Sequence, residues 1–241
     1  MKNIKEILVE AIGTFFLCFV GGLAFYNANN NTSYSLINVA FSHGLVLFVM
    51  ICWGGPLTGA QFNPAVTIAL MVNNEHAVKE GGMHILSQTV GSLVAGLLLY
   101  IVLPNPNRDN KNYYTSPTLN PGIAQYQGFL LEYIATFTLV MLIFTGIRTK
   151  QKEQMIACYV GATLMAFINA MGPFTGASLN PARTFGPFLF CNGFVPFDSV
   201  IQPFAVYYLA PILGGITGGF LSKFIIHNET TLEKIGTKKS N

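Results

Sequence analysis

Charged residues are scarce in this chain, and their scarcity limits what kind of protein it can be. Only 10% of the 241 residues are Asp, Glu, Lys or Arg, whereas a soluble domain carries about 25%. So few charges cannot cover a globular surface of ordinary polarity, which excludes an ordinary soluble domain. Hydrophobic residues make up 51% of the chain and the mean hydropathy is +0.48. Together these values indicate an integral membrane protein.

Several chemistry-bearing patterns are missing as well. The four cysteines contain no Cys-x-x-Cys pair, so their spacing supports neither a disulfide framework nor a metal site. The net charge of +3 is small and scattered, which argues against binding to nucleic acid. The sequence shows no Gly-rich phosphate loop, metal-ligand cluster or Ser-His-acid constellation. We therefore expect neither an enzyme nor a protein with a cofactor or a bound metal.

Long apolar runs are what the sequence does contain. A spanning helix needs about 20 mostly apolar residues, and six segments meet or approach this length: Ile7–Phe25, Leu36–Trp53, Met83–Leu103, Gly128–Ile147, Met155–Met171 and Pro203–Ile226. The first is too long for the apolar region of a signal peptide and contains Glu10, so it is expected to remain as a spanning helix. Two further runs, Ala65–Val72 and Ala182–Phe190, are too short to span.

The distribution of basic residues predicts the orientation. Loops with an excess of Lys and Arg face the cytoplasm. With six spanning helices, ten of the 13 basic residues fall on one side: Lys2, Lys5, Lys79, Arg148, Lys150, Lys152, Lys223, Lys234, Lys238 and Lys239. The other three are Arg108, Lys111 and Arg183. The sequence therefore predicts a multi-pass membrane protein whose N- and C-termini are cytoplasmic.

An internal repeat relates the two halves of the chain. Residues 55–67 (GPLTGAQFNPAVT) match residues 172–184 (GPFTGASLNPART) at nine of thirteen positions, with an offset of 117. A weaker match relates the segments that begin at Glu10 and Glu132. Three spanning helices per half is an odd number, so the second half must enter the membrane from the opposite face, as in an inverted repeat. We expect one channel-like domain over 1–241, with a first repeat (1–103), a connecting loop (104–127), a second repeat (128–226) and a cytoplasmic tail (227–241).

Each short apolar run follows an Asn-Pro pair, which predicts a half-helix. Asn is a good N-cap and Pro suits the first helical position, so helices should start after Asn63 and Asn180. The preceding residues must then be non-helical, and such backbone inside a membrane lines a cavity or is buried in protein. The inverted repeat brings the two positive helix N-termini together, which disfavours cations there. Candidate pore-loop carbonyls belong to Gly59, Ala60, Gln61, Gly176, Ala177 and Ser178.

With these motifs the chain resembles the aquaporin, or major intrinsic protein, family over about residues 6–226. The resemblance rests on the motifs Asn63-Pro64-Ala65 and Asn180-Pro181-Ala182, on the two membrane glutamates, and on the stretch 176–187. It implies an all-α membrane protein of six transmembrane helices plus two re-entrant half-helices, assembled as a homotetramer with one pore per protomer. Because irregular backbone in a membrane needs hydrogen-bond partners, Glu10 and Glu132 are expected to hold the re-entrant loops rather than to relay protons.

The resemblance also implies a selectivity filter. Distance from the Asn-Pro-Ala motifs assigns it to His43, Ile168, Ala177 and Arg183. Arg183 has Val66 at the equivalent place in the first half, so its charge barrier is expected on one side only. Strict water channels of the family carry Phe and His at the first two positions, and this set looks more like the plant vacuolar (tonoplast) type. We therefore expect a filter wider than in strict water channels.

The predicted function is passive conduction of water, together with small neutral solutes, by a protein embedded in membrane lipid. Thr184 after the filter Arg, and Tyr207-Tyr208 in the sixth helix, depart from the pattern of glycerol facilitators. The alternatives are a channel mainly for ammonia, urea or glycerol-type solutes, an ion-coupled transporter using the two glutamates, and a structural membrane junction protein. No nucleic-acid partner is expected. The sequence does not specify the organelle, the gating or the physiological solute.

Overall fold

The structure is a computed structural model that describes residues 2–31, 33–104, 115–191 and 204–238, with side chains for 4–31, 33–104, 115–190 and 204–226. All regular elements in these ranges are helices, and six of them are long and apolar enough to cross a membrane. These are α1 (Lys2–Asn30), α2 (Leu36–Thr58), α4 (Val78–Val102), α5 (Gln125–Arg148), α6 (Glu153–Thr175) and a last one that begins at Ala205. The predicted multi-pass architecture is confirmed.

The two short apolar runs form the predicted half-helices. Helix α3 spans Pro64–Val72 and helix α7 spans Pro181–Cys191. The last spanning helix opens with a π-helical turn, Ala205–Leu209, and continues as α8 (Ala210–Lys238). The spanning helices extend past the apolar runs because their polar ends remain helical. Helix α8 likewise continues into the expected tail, although residues 239–241 lie outside the described part of the chain, as does the segment 105–114 of the connecting loop.

Counting crossings from α1 places the ends of the elements on two sides. The N-terminus, the segment 73–77, the turn between α5 and α6 and the end of α8 share one side, here called the N-terminal side. Two contacts support this placement: Arg148 forms an ion pair with Glu75, and the Lys223 ammonium donates to the carbonyl of Asn73, 3.1 Å away. Residues 31 and 33–35 and the segment 115–124 lie on the opposite, far side.

Small residues allow the helices to pack closely around the pore. A Cβ atom at Gly218 of α8 would overlap the carbonyl oxygen of Phe137 on α5, and one at Gly91 of α4 would overlap that of Ala11 on α1. Close backbone approach of this kind is how helices associate in membranes, where lipid removes the hydrophobic drive to pack. The outward faces carry exposed Leu, Ile, Val and Phe side chains, as lipid contact requires.

The cysteines do not form a disulfide among the described side chains. Cys18 is buried, Cys52 is partly buried and Cys158 is exposed on α6. Cysteines inside apolar runs are expected to act as small buried apolar residues, and Cys18 in the core does so. The side chain of Cys191 lies outside the described residues.

Candidate functional site: a membrane pore with two re-entrant loops

The two re-entrant loops adopt the same backbone conformation. Helices α2 and α6 end at glycines with positive φ, Gly59 (79°) and Gly176 (76°). Left-handed φ values recur at the next residue and two residues after that: Ala60 (45°) and Phe62 (49°) in the first loop, Ala177 (49°) and Leu179 (55°) in the second. A non-glycine residue in a sparsely populated backbone region costs about 1–3 kcal/mol. Something must therefore hold each loop in place.

Glu10 holds the first loop. One carboxylate oxygen accepts hydrogen bonds from the Gln61 amide (3.0 Å) and the Thr58 hydroxyl (2.8 Å). The other accepts from the Phe62 amide and from the side-chain amide of Gln88, both at 2.8 Å. The side chain is fully buried. Charge-assisted hydrogen bonds are the strong ones, so a single carboxylate fixes two strained peptide groups at once.

Glu132 holds the second loop in the same way. One carboxylate oxygen accepts from the Ser178 amide (2.8 Å) and the Thr175 hydroxyl (2.7 Å), and the other accepts from the Leu179 amide (2.8 Å). It too is fully buried. The hydrogen bonds expected from the sequence are thus present for both glutamates. Both carboxylates act as acceptors for the loops, which favours the structural over the proton-relay interpretation.

The two asparagines cap the half-helices and join the loops. The side-chain oxygen of Asn63 accepts from the Ala65 amide at 2.9 Å, and that of Asn180 accepts from the Ala182 amide at 3.0 Å. Each side-chain nitrogen donates across to the other loop, Asn63 to the Leu179 carbonyl (2.8 Å) and Asn180 to the Phe62 carbonyl (2.9 Å). An amide nitrogen carries two hydrogens, so each asparagine retains a second donor.

A cavity of about 210 Å³ leads from the N-terminal side to the paired asparagines. Its polar lining residues come from the two loops and the end of α2 and include Thr58, Gln61, Asn63, Ser178 and Asn180. Most of its apolar lining comes from the spanning helices: Leu17, Leu47, Ile51, Leu139, Ile143, Ile147, Ile156, Val160 and Leu164. The hydrogen-bonding groups of the cavity are therefore concentrated at the re-entrant loops, and the helices supply apolar surface.

Arg183 closes the far end of this cavity. Its guanidinium donates to the carbonyls of Gly176 (3.3 Å) and Ala177 (2.7 Å), and its other terminal nitrogen lies 2.9 Å from His43 Nε2. His43 Nδ1 lies 2.8 Å from the Val39 carbonyl. Arginine only donates and a carbonyl only accepts, so His43 is neutral, with its hydrogen on Nδ1 and its lone pair facing Arg183.

Two residues on α1 position this constriction. The Phe25 ring lies 5.1 Å from the Arg183 guanidinium carbon and packs edge-on against His43 at 5.3 Å. Gly21 leaves room for His43, because a Cβ there would overlap His43 Nε2. Ile168 is fully buried and Arg183 is only 2% exposed. The lining of the cavity on the N-terminal side includes Arg183 but neither His43 nor Ile168.

Sequence reasoning missed several of these residues. Thr58 and Thr175 occupy equivalent positions of the repeat. That identity could have predicted that their hydroxyls donate to Glu10 and Glu132. Gln88, Phe25 and Gly21 carry no such signal, because none lies in a repeated motif. Their roles depend on which face of a spanning helix meets the pore, which periodicity within a uniformly apolar run does not specify.

Two histidines lie at the mouth of the cavity on the N-terminal side. His76, between α3 and α4, lines the cavity, and its ring centroid is 4.9 Å from that of His84 on α4. Burial, and then the proximity of His84, lower the pKa of His76 below its usual value. The place of His84 at the start of the third apolar run, Met83–Leu103, predicts a residue at the membrane interface; in the structure it is buried, with 2% of its surface exposed.

Six spanning helices with two half-helices whose asparagine caps meet beside a cavity define a membrane channel. Comparison with known proteins agrees: the family model described as major intrinsic protein matches residues 1–222. The chain therefore belongs to the major intrinsic protein family, whose members are channel proteins rather than enzymes.

Curated relatives and a solved structure refine this placement. The chain is 30% identical to nodulin-26 of Glycine max, covering 96% of this chain and 81% of that protein. It is also 30% identical to aquaporin NIP1-1 of Zea mays, covering 96% and 78%. The aquaglyceroporin from Plasmodium falciparum shares the fold, with a TM-score of 0.80 at 22% identity over 97% of this chain and 99% of that one. The two plant relatives are of the NIP type. The resemblance of the filter to tonoplast aquaporins therefore stays a prediction.

Proposed function

We propose that the chain is a passive channel for water that also passes small neutral solutes. The observation that carries this proposal is the meeting of Asn63 and Asn180 at the end of a continuous cavity, where each side-chain nitrogen keeps a second hydrogen to donate. A neutral oxygen reaching this point meets donors, whereas a cation meets two positive helix ends. In the proposed arrangement the termini face the cytoplasm and four protomers assemble, each with its own pore.

The proposed filter consists of His43, Ile168, Ala177 and Arg183. Its polar side is formed by the Arg183 guanidinium, the Ala177 carbonyl to which it is bound, and the His43 ring. Its apolar side is Ile168. An unpaired positive charge in a low-dielectric constriction repels cations strongly. Ile168 offers no polar group to a solute, so discrimination among neutral molecules depends on size more than on hydrogen bonding.

A second candidate is a channel mainly for ammonia, urea or glycerol-type solutes. Ile168 favours it, because an aliphatic side chain replaces the ring of strict water channels and removes one polar wall. The kinship with NIP-type proteins and the shared fold with a protein called an aquaglyceroporin fit it as well. Thr184 and Tyr207 argue against glycerol as the main solute, because both depart from the pattern of glycerol facilitators.

An ion-coupled transporter is supported less well. The carboxylates of Glu10 and Glu132 accept several hydrogen bonds each from the loops. A proton relay needs a group that can give up and regain its proton during transport, and protonation would break these bonds. A junction protein without flux would not need a cavity that ends at paired donors.

Stopped-flow light scattering on proteoliposomes, with a panel of water, ammonia, urea and glycerol, tests these candidates. We expect fast, non-saturable water flux, slower urea or ammonia flux and no ion flux. Ile168→His should cut urea and ammonia flux more than water flux. Ile168→Leu is the matched control, since it keeps an aliphatic side chain of equal size. If the wild type conducts water but excludes every larger solute, the inference from Ile168 is wrong.

A further inference from the structure

His76 and His84 form a pair that the proposed pore does not use. They come from different elements, the segment between α3 and α4 and the second turn of α4, and their rings are 4.9 Å apart at 38°. Within the described part of the chain, the Nε2 atoms of both rings are buried and have no hydrogen-bond partner. Buried polar atoms are nearly always paired, so two such nitrogens side by side call for an explanation.

The protonation of His84 follows from its other nitrogen. Nδ1 lies 3.4 Å from the side-chain oxygen of Gln61, and this oxygen also accepts the Thr67 hydroxyl at 2.7 Å. A carbonyl oxygen can only accept, so Nδ1 of His84 carries the donated hydrogen. In the neutral ring, Nε2 therefore presents a lone pair. The ring is held in one orientation by Gln61, as the outer partners of metal-binding histidines usually do.

The surroundings favour a cation beside these rings. Glu80, Glu10 and Glu6 all act electrostatically on His76, and their carboxylates attract positive charge. Zn–N bonds measure about 2.0–2.1 Å, so two imidazoles sharing one tetrahedral ion have ring centroids about 5 Å apart. The observed 4.9 Å fits this spacing.

We propose that His76 and His84 bind one divalent ion of the zinc class at the mouth of the cavity, and that the bound ion hinders passage. Among the described residues, no group of three or more His, Cys, Asp or Glu side chains is placed to hold a metal. The pair therefore supplies two nitrogens and water supplies the remaining ligands. His76 lines the cavity, so these waters and the ion's charge lie in the path. The hindrance rests on the proposed channel function, whereas the binding does not.

Binding is tested first, on tag-free protein in detergent. Zn²⁺ is titrated in competition with a chromophoric chelator, for the wild type, His76→Gln and His84→Gln. His227→Gln, which removes another histidine on α8, is the matched control. We expect one Zn²⁺ per protomer in the wild type and the control, and at least a tenfold loss of affinity in both pair variants. Zinc should raise the melting temperature of the wild type and not that of the variants, whose zinc-free melting curves report folding.

Equal zinc affinity in the wild type and both pair variants would overturn the proposal, and so would a wild type that binds no zinc. A second measurement addresses hindrance. Zn²⁺ is placed on both sides of proteoliposome membranes because orientation is mixed, and the water permeability of each protein is compared with its own zinc-free rate. We expect a several-fold, chelator-reversible decrease in the wild type only. If zinc binds the pair without lowering the water permeability, the proposed hindrance of passage is wrong. If the zinc-free protein does not conduct water, the proposed channel function is wrong, while the result of the binding experiment is unaffected.

Discussion

The two re-entrant loops have one backbone and different side chains, and the difference separates scaffold from selectivity. Positive φ values fall at equivalent positions 117 residues apart, and a buried glutamate accepts from the same two loop amides in each half. Even the outer polar links correspond: Thr67 donates to Gln61, and Thr184 contacts Ser178. The repeat has therefore preserved the backbone conformation of the loops and the glutamate that accepts from their amides, whereas the bond from Gln88 to Glu10 is described in the first half only.

The side chain three residues after each asparagine is where the halves diverge. The first half has Val66, a lining residue of the cavity. The second has Arg183, which binds two loop carbonyls and meets His43. The two halves thus start their half-helices at equivalent positions, and only the second half carries a charged side chain three residues after the asparagine. In the proposed pore this difference places the ion barrier on one side only.

The largest expected effect comes from the glutamates, and it should be equal in the two halves. In Glu10→Gln or Glu132→Gln, the new amide nitrogen must face a loop N–H, which is left without an acceptor at a cost of about 1–3 kcal/mol. Loss of charge assistance adds to this. We expect both variants to lose thermal stability in detergent by similar amounts, and the double variant to give little folded protein.

Glu80→Gln is the control for these variants, because Glu80 is exposed in the first turn of α4. It should melt like the wild type. If one glutamate tolerated the change while the other did not, the two loops would not be held equivalently. Unchanged stability combined with loss of an ion-coupled flux would instead favour the transporter alternative.

The second test gives position 183 the residue that the first half has at the equivalent position, Val66. Arg183→Val reproduces the residue of the first half and should raise proton or K⁺ leak by about tenfold or more. One unit charge about 4 Å away contributes about 4 kcal/mol at an effective dielectric constant of ~20. Water flux should persist, because the asparagines and helix ends remain. Leak is measured with a pH-sensitive dye inside proteoliposomes, and Arg148→Val removes the same residue type away from the filter. A leak no larger than in the control would locate the barrier elsewhere.

The third test targets the constriction alone. Gly21→Ala introduces a methyl group against His43 Nε2, which should push the ring off α1 and break its contact with Arg183. We expect water permeability per protomer to fall by about threefold or more, since pore diameter limits conduction, while the melting temperature changes little. Gly82→Ala is the control, because a Cβ there meets nothing within 4 Å. Equal permeability in the two variants would mean that His43 does not set the aperture.

The sequence predicted the elements that the repeat duplicates. The half-helices start at Pro64 and Pro181, as Asn-Pro pairs at the head of short apolar runs indicate, and the glutamates reach the loops as irregular backbone in a membrane requires. These features are local, or are repeated in both halves, so a single chain is sufficient to recognise them. The six crossings followed from hydropathy alone.

Contacts between elements could not be predicted in the same way. The proximity of His76 and His84, and the fit of Gly21 to His43, depend on the rotation of one helix against another, and a helix that is apolar on all sides leaves that rotation unspecified. The π-helical turn at Ala205–Leu209 is a further example of a feature that depends on contacts between elements. Tyr207 in this turn donates its hydroxyl to the Thr175 carbonyl (2.7 Å), and this bond joins α6 to the last spanning helix.

The smallest expected effect concerns the ion pair that joins the two halves on the N-terminal side. Arg148 at the end of α5 pairs with Glu75 beside the cavity, and their side chains are 22% and 26% exposed. Pairs in contact with solvent contribute about 0–1 kcal/mol and are screened by salt. Arg148→Gln should therefore lower the melting temperature slightly at low ionic strength, and less at high ionic strength. Lys150→Gln, which removes an exposed charge two residues away, should show no such salt dependence. A large, salt-independent loss in Arg148→Gln would mean that this contact, and not only the asparagine hydrogen bonds between the loops, holds the two halves together.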